Sequence, residues 1–499
     1  MIRKLWEEIL ENREIRQNLS NIRKEIKDGE QKAAFLYLMA GSEDVLINLL
    51  KNEDAKSRKN ASLLMGELGC REFLDPLYEA YQAEEQLFVK SAYLTAIRNF
   101  DYRKYLPQLT ERLEELTKGG MTEENRKHIS EEIRQLSAMK MEMEGIKKHE
   151  FRGVNESYDV ILLTNRDHQD VTEQELINED PFAKTKIFGA GIMARVNGLK
   201  WVDKVRTYQE LLFTVKGMTT CKMNPQEAAA TIVNSDLMVF LKKGHKGKPP
   251  FYFRIEFKSK MELSKRSVFT KKLSSEIEKL TNRELINTTS NYEFEIRMIE
   301  NKAGDCNLLV KLYTLEDTRF AYRKEVSATS IRPVNAALTV ALAKEYMTED
   351  AQVLDPFCGV GTMIIERHKA VHANTTYGID FNEECIEKAK INTEAAHQIA
   401  HYVNKNFFDF THEYLFDEII TDMPFCIGRK TEEEIRDVYE RFFPAARKVL
   451  KKHGIVIIYT HDREQVKEFS SRNKFKLLKE YEISMREGTY VMILKESEA

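Results

Sequence analysis

Val353-Leu354-Asp355-Pro356-Phe357-Cys358-Gly359-Val360-Gly361-Thr362 reads as a short apolar strand, a turn of small residues and the opening of a helix. The pattern repeats on both sides of it. Upstream, the spacing predicts a helix over 333–347 leading into a strand at 352–355. Downstream, it predicts helix 362–371, strand 376–379, helix 383–396, and strands 403–407 and 418–421. Helix 431–451, strand 454–459, helix 463–472 and strands 475–483 and 489–495 complete the series. Strands separated by helices of this length imply a parallel, doubly wound sheet with right-handed crossovers. The last two strands, joined by Arg486-Glu487-Gly488, read as an antiparallel addition at one edge. In such sheets ligands bind beyond the carboxyl ends of the strands, where the strand order reverses, and the glycine turn falls at that point. Gly359 and Gly361 carry no Cβ, so a ligand can approach the backbone and the chain can take unusual dihedrals.

A lone G-x-G also occurs in ordinary strand-to-helix turns. Asp380 adds to it: it ends the next strand, Tyr377-Gly378-Ile379-Asp380, and an acidic side chain there can accept hydrogen bonds from both ribose hydroxyls. Asp355 narrows the ligand further. A carboxylate at the mouth of the turn would repel the pyrophosphate of a dinucleotide, whereas a ligand carrying an amino group and a sulfonium centre would be favoured. On these residues Asp355-Pro-Phe-Cys-Gly-Val-Gly-Thr362 resembles the first motif of class I S-adenosylmethionine-dependent methyltransferases, in particular the RNA branch that methylates amines. The resemblance implies a Rossmann-like α/β domain over 330–499. It implies cofactor contacts from Asp355, Phe357, Gly359, Gly361, Thr362, Asp380 and Phe381, and from Phe408 and Asp409 after the 403–407 strand, where simple solvation of Asp409 is the alternative. The segment Ser330-Ile331-Arg332-Pro333 resembles the stretch that lies across the cofactor, although Ser330 or Asn335 could merely cap a helix.

Strand 418–421 ends in Asp422-Met423-Pro424-Phe425, which resembles the [D/N]-x-P-[Y/F] motif of methyltransferases acting on exocyclic amines. The residue types suit the chemistry. An exocyclic NH2 is a poor nucleophile because its lone pair is delocalised into the ring. Hydrogen bonds from it to the Asp422 carboxylate and the Pro424 carbonyl would favour a pyramidal nitrogen and aim its lone pair. Phe425 would stack on an extruded base. Alone, these four residues would be a turn. The family usually has glycine directly after the aromatic residue, whereas here the chain continues Cys426-Ile427-Gly428-Arg429-Lys430.

N-terminal to this domain, residues 156–325 read as an α+β segment of two small sub-domains. Strands are predicted near 186–195, 236–242, 251–257, 293–300 and 307–313, after Tyr158–Thr164, with helices near 203–216, 225–233 and 267–281. The chain as a whole has 77 basic and 80 acidic residues, a net charge of −3. Residues 242–283 reverse that balance, with 13 Lys/Arg against four Asp/Glu. Arg254, Lys258, Lys260, Lys265, Arg266, Lys271 and Lys272 interleave with Phe251, Phe253, Phe257 and Phe269, a combination suited to a phosphate backbone, though a charge run is often just a solvated face. The 220–325 segment resembles a THUMP RNA-binding domain and 156–219 the small ferredoxin-like domain that accompanies it.

Residues 1–148 read as helical throughout, interrupted at Asp75-Pro76. A shift of 31 residues superposes Leu46 on Leu77 and Ala61 on Ala92, in helix pairs 43–52/56–69 and 72–82/85–98, with a third pair at 104–116/122–143. The block resembles HEAT-type α-solenoid repeats, with an ordinary helical bundle as the alternative.

The expected architecture is therefore multidomain: an α-solenoid, a central α+β region and a C-terminal Rossmann-like domain. Composition excludes collagenous and disordered classes, and no run is apolar enough for a bilayer span, so a cytoplasmic protein without membrane association is expected. Six cysteines without a C-x-x-C pair, and 11 histidines without metal-like spacing, form neither a disulfide framework nor a metal site. The resemblance implies an S-adenosylmethionine-dependent enzyme that methylates guanosine N2 in structured RNA, with the tRNA acceptor stem expected and ribosomal RNA as the alternative. A catalytically degenerate RNA-binding scaffold and a DNA amino-methyltransferase are competing readings. Keeping three costly carboxylates favours the enzyme. The helical block could enlarge the RNA surface or recruit a protein partner.

Overall fold

The computed structural model describes residues 2–118, 122, 125–144, 148–426 and 431–497, and the chain divides into two compact units, Met1–Lys147 and Lys148–Ala499. The first unit is all helical, with Glu43–Leu49 followed by Ala55–Leu68, Leu74–Ala83 by Leu87–Ile97, and Leu106–Lys118 by Arg126–Glu144. Three further helices precede these. The positions related by the 31-residue shift all face inward: Leu46, Leu77 and Ala61 are fully buried and Ala92 nearly so. Pro76 does not break the pattern. It lies in the first turn of Leu74–Ala83, where its missing N–H has no intrahelical acceptor to lose.

In the second unit a nine-stranded sheet comes first, in the order 184–188, 191–196, 158–164, 208–213, 306–312, 294–300, 251–258, 285–287, with 220–221 also pairing to 306–312. It crosses the expected boundary between 219 and 220, since Phe213 pairs with Val310. Two expected elements are corrected. Residues 236–242 are not a strand: Leu237–Gly244 is a helix, with Leu237 and Leu241 buried and Val239 63% exposed, a spacing of four where a strand would put all three on one face. Residues 203–216 are not a helix. A short helix, Leu199–Val202, precedes strand Tyr208–Phe213, which pairs along 158–164. The 186–195 stretch is a hairpin, turning at Gly189-Ala190.

The C-terminal domain follows the expected alternation closely. After α1 (Pro333–Ala343) come β1 (Ala351–Asp355), α2 (Thr362–Ala370), β2 (Ala373–Asp380), α3 (Glu383–Ala395) and β3 (His401–Asn404). Then follow β4 (Phe416–Asp422), α4 (Glu432–Val449), β5 (Leu450–Thr460), α5 (Arg463–Arg472), β6 (Phe475–Ser484) and β7 (Thr489–Glu496). The sheet order is β3-β2-β1-β4-β5-β7-β6, parallel except for β7. The order reverses between β1 and β4, so the ends of these two strands open on one crevice. The central sheet is tied to this domain by Arg206, whose guanidinium makes two 2.7 Å bonds to Glu366 of α2, and Tyr322 donates to the same carboxylate at 2.6 Å.

Candidate active site

Asp355 ends β1 with 1% of its surface exposed. It accepts hydrogen bonds from the Phe357 N–H at 3.1 Å and from the Thr421 hydroxyl at 2.6 Å, the latter carried on neighbouring β4. Burial outweighs these bonds, and with nearby Asp380 it pushes the Asp355 carboxyl up to about 7. The Asp380 carboxylate, at the end of β2, accepts from the N–H groups of Gly359 at 3.0 Å and Asn382 at 2.8 Å, which fixes it beneath the glycine turn.

The two glycines have different reasons to be glycine. Both have positive φ, +51° at Gly359 and +82° at Gly361. A Cβ on Gly359 would meet nothing within 4 Å, leaving the turn open on the crevice side. A Cβ on Gly361 would lie 2.5 Å from the Tyr402 hydroxyl, so this glycine serves packing rather than access to a ligand.

β4 delivers the second group. Its pairing sets Asp422 beside Tyr459, and the Met423 N–H donates to the Tyr459 carbonyl at 2.9 Å, so the chain after Asp422 leaves the sheet at a fixed point. The Oδ1 atom of Asp422 is out of solvent and has no hydrogen-bond partner among the described residues. Burial and the neighbouring Asp355 hold its carboxyl well above the usual carboxylate range. Phe425 stacks on His461 with ring centroids 4.1 Å apart and planes 26° apart. Burial lowers the pKa of that imidazole, and the nearby Glu487 backbone opposes the shift.

These groups share one cavity of about 610 Å3, lined by Asp355, Phe357, Gly359, Thr362, Asp380, Phe381, Phe408, Asp422, Pro424 and Phe425. Ser330 and Ile331 also line it, as the segment leading into α1 was expected to do; Ser330 caps nothing, because the α1 N-cap is Arg332 and Ser330 bonds Ser327 at 2.7 Å. Phe381 stands 73% exposed at the mouth, an open aromatic face beside Asp380. Phe357 packs among Phe407, Phe408 and Phe442, and Arg441 of α4 lies 4.0 Å over the Phe408 ring. Asp409 is corrected: it is exposed and does not line the cavity. β3 ends early and Asn406 caps a single turn over 407–409, which places Lys405, Asn406, Phe407 and Phe408 on the cavity wall instead. Residues 427–430, where glycine is displaced in the motif, lie outside the described residues.

The sequence reading missed four contributors. Thr421 could have been found from its place on β4 one strand away from Asp355. Tyr402 behind Gly361, Arg441 and His461 carry no motif signal, since only the folded sheet brings them to the crevice.

The basic stretch divides. Phe251, Phe253, Phe257 and Phe269 are buried in the core of the central sheet and cannot stack on a base. Arg254 is also corrected. Its guanidinium donates to Glu295 at 2.8 and 2.6 Å and to Tyr313 at 2.9 Å, and lies 4.3 Å over the Tyr292 ring. Lys258, Lys260, Lys265, Lys271 and Lys272 are exposed and Arg266 is half-buried, so the positive surface comes from the end of one strand and the first half of helix Leu263–Leu280.

The crevice suits S-adenosylmethionine on three observations: the volume falls in the range of small-molecule sites, the turn at Gly359 is open, and Asp355, Asp380 and Asp422 all line the cavity. Comparisons with known proteins agree. Residues 321–490 match the model of a family described as RMKL-like, methyltransferase domain. TrmN from Thermus thermophilus has the same fold with a TM-score of 0.52 at 16% identity, covering 68% of this chain and 99% of its own. A predicted N6-adenine-specific DNA methylase from Listeria monocytogenes matches with a TM-score of 0.52 at 16% identity over 71% of this chain and 97% of its own. SMU.472, whose crystal structure is of a complex with SAH, matches with a TM-score of 0.51 at 14% identity over 69% of this chain and 99% of its own. The C-terminal domain is a methyltransferase domain, and S-adenosylmethionine is the cofactor such domains use. No helix among the described residues is long and apolar enough to cross a membrane.

Proposed function

We propose that this protein methylates the exocyclic N2 amine of a guanosine in structured RNA, in the acceptor stem of tRNA. The observation that carries this reading is the Asp422 carboxyl group, whose residue lines the same cavity as Pro424 and Phe425 and whose Oδ1 atom has no hydrogen-bond partner among the described residues. An unmade hydrogen bond at a buried carboxylate is costly, and a ligand N–H would satisfy it. S-adenosylmethionine, when bound, supplies the methyl group. Asp422 and the Pro424 carbonyl hold the two amine protons, turning the nitrogen lone pair out of conjugation, while Phe425 offers a face to the base. Asp355 and Asp380, with the open turn at Gly359, hold the cofactor's amino and ribose groups. Lys258, Lys260, Lys265, Lys271 and Lys272, with Arg266, grip RNA phosphates from a THUMP-like region that works with the ferredoxin-like strands before it. The HEAT-like helices extend the RNA surface or recruit a protein.

Mass spectrometry of nucleosides from tRNA and rRNA, with and without the gene, tests this reading. N2-methylguanosine missing from tRNA supports it. Loss from rRNA alone moves the substrate to the ribosome, and an unchanged inventory rejects the reading.

A further inference from the structure

We infer that His461 is a positioning residue for the base platform, backing Phe425 from the side away from the cavity; this rests on the proposed role of Phe425 against an extruded base. Phe425 lines the cavity and His461 does not, yet their rings are stacked at 4.1 Å and 26°. The wall is therefore two rings thick, with Phe425 presenting its remaining face inward. The sheet register explains why the two meet. β4 and β5 run parallel with Asp422 opposite Tyr459, so the residues just beyond each strand end lie side by side, and the Met423 N–H ties one end to the other at 2.9 Å. His461 is itself held on two sides. The Tyr459 ring stands at 86° to it with centroids 6.2 Å apart, and the backbone of Glu487, in the turn between β6 and β7, lies close enough to act on the imidazole. Glu487 pairs with Arg332 at 3.5 Å, next in sequence to Ser330 and Ile331, which also line the cavity. The closing hairpin thus connects the segment leading into α1 with the ring that backs Phe425.

Stacking sets the angle of Phe425, and that angle decides where a base resting on it presents its amine to Asp422. Displacements on the order of 1 Å in such a contact cost about 100-fold in rate. The role needs a flat ring at 461 rather than imidazole chemistry, because the ring does not reach the reacting atoms.

The test compares His461→Ala, His461→Phe and Phe425→Ala in the full chain, with and without the second change. Methyl transfer to RNA from a strain lacking the gene is measured beside equilibrium binding of S-adenosylhomocysteine. His461→Ala should lower kcat/KM by about 10- to 100-fold with cofactor affinity unchanged, and His461→Phe should return to within about threefold of the parent. The double variant should be no worse than Phe425→Ala, since both act through one platform. Full activity in His461→Ala, equal loss in His461→Phe, or additive losses in the double variant would overturn the inference. An NMR readout separates this from failure of the RNA reading. The Phe425 ring signals should shift in His461→Ala and hold in His461→Phe whether or not RNA is methylated. Unmoved signals in His461→Ala would sink the proposal on their own.

Discussion

The crevice of the C-terminal domain and the basic surface of the central sheet are both marked in the sequence by charged and aromatic residues, and folding treats them oppositely. Asp355, Asp380 and Asp422 lie far apart in sequence yet line one cavity, because each ends a parallel strand and the sheet order brings β1, β2 and β4 together. The aromatic and basic residues of 251–272 are close in sequence and end up divided. Alternation along strand Phe251–Lys258 sends the phenylalanines into the core and leaves Arg254 over Glu295, so only the lysines and Arg266 remain for an outside partner. A residue defined by its place at a strand end keeps its meaning on folding. A residue defined by its neighbours in a charged run does not, until the face it occupies is known.

The largest effect should come from Asp422→Ala. Removing a preorganised acceptor for the amine should lower kcat by about 10²- to 10³-fold while cofactor binding by calorimetry stays unchanged. Loss of cofactor binding instead would mean that Asp422 belongs to the cofactor half of the crevice. The paired glycines sharpen the contrast between access and packing. Gly361→Ala, pressed against Tyr402 at a positive φ, should cost about 1–3 kcal/mol of stability and lower Tm. Gly359→Ala faces open space and should lose about 1 kcal/mol to backbone strain, with its main effect on cofactor affinity.

The pH dependence follows from Asp355. Its carboxyl is raised to about 7 in the cofactor-free protein, and a cationic ligand favours the ionised form, so below that value a proton must leave on binding. Cofactor affinity should rise by up to about tenfold per pH unit on approach to 7 and then level off, with the Asp355 share of the slope gone in Asp355→Asn. Stability moves the other way. A carboxyl whose folded pKa exceeds its unfolded one stabilises the fold below the unfolded value, and that contribution is lost as pH rises through about 7. Thermal unfolding of the cofactor-free protein across this window checks the sign.

The smallest effects belong to the surface. Lys265, Lys271 and Lys272 changed singly to Ala should each weaken RNA binding a few fold and reduce the salt slope by about one, with Tm unchanged. Arg254→Ala should instead lower stability by about 1–3 kcal/mol, because it strips a partner from fully buried Glu295. A lysine variant with normal RNA affinity would remove that surface from the account.

The C-terminal fold was legible because short strands alternate with helices bounded by Gly, Asn and Pro, and each such boundary is a local physical preference. The central region was less so. Leu237–Leu241 is an apolar run short enough to suit either a strand or a helix, and Gly189-Ala190 concealed a hairpin within what read as one strand. In the site, residues of a motif were visible and their supports were not. Asp422, Pro424 and Phe425 announce themselves, whereas His461 reaches Phe425 only through the pairing of β4 with β5. Asp409 misled because its neighbour Asn406 caps a tight turn that points it to solvent, a choice made by backbone hydrogen bonding rather than by charge.

The central claim is that one crevice seats the methyl donor with the Asp422 carboxyl group beside the space left for an amine. A crystal structure with S-adenosylhomocysteine tests it most directly. The account predicts the ligand in the cavity at the glycine turn, its ribose hydroxyls on Asp380 and its sulfur toward Asp422. Ligand bound elsewhere, or a cavity in which Asp422 turns away to another protein partner, would contradict it.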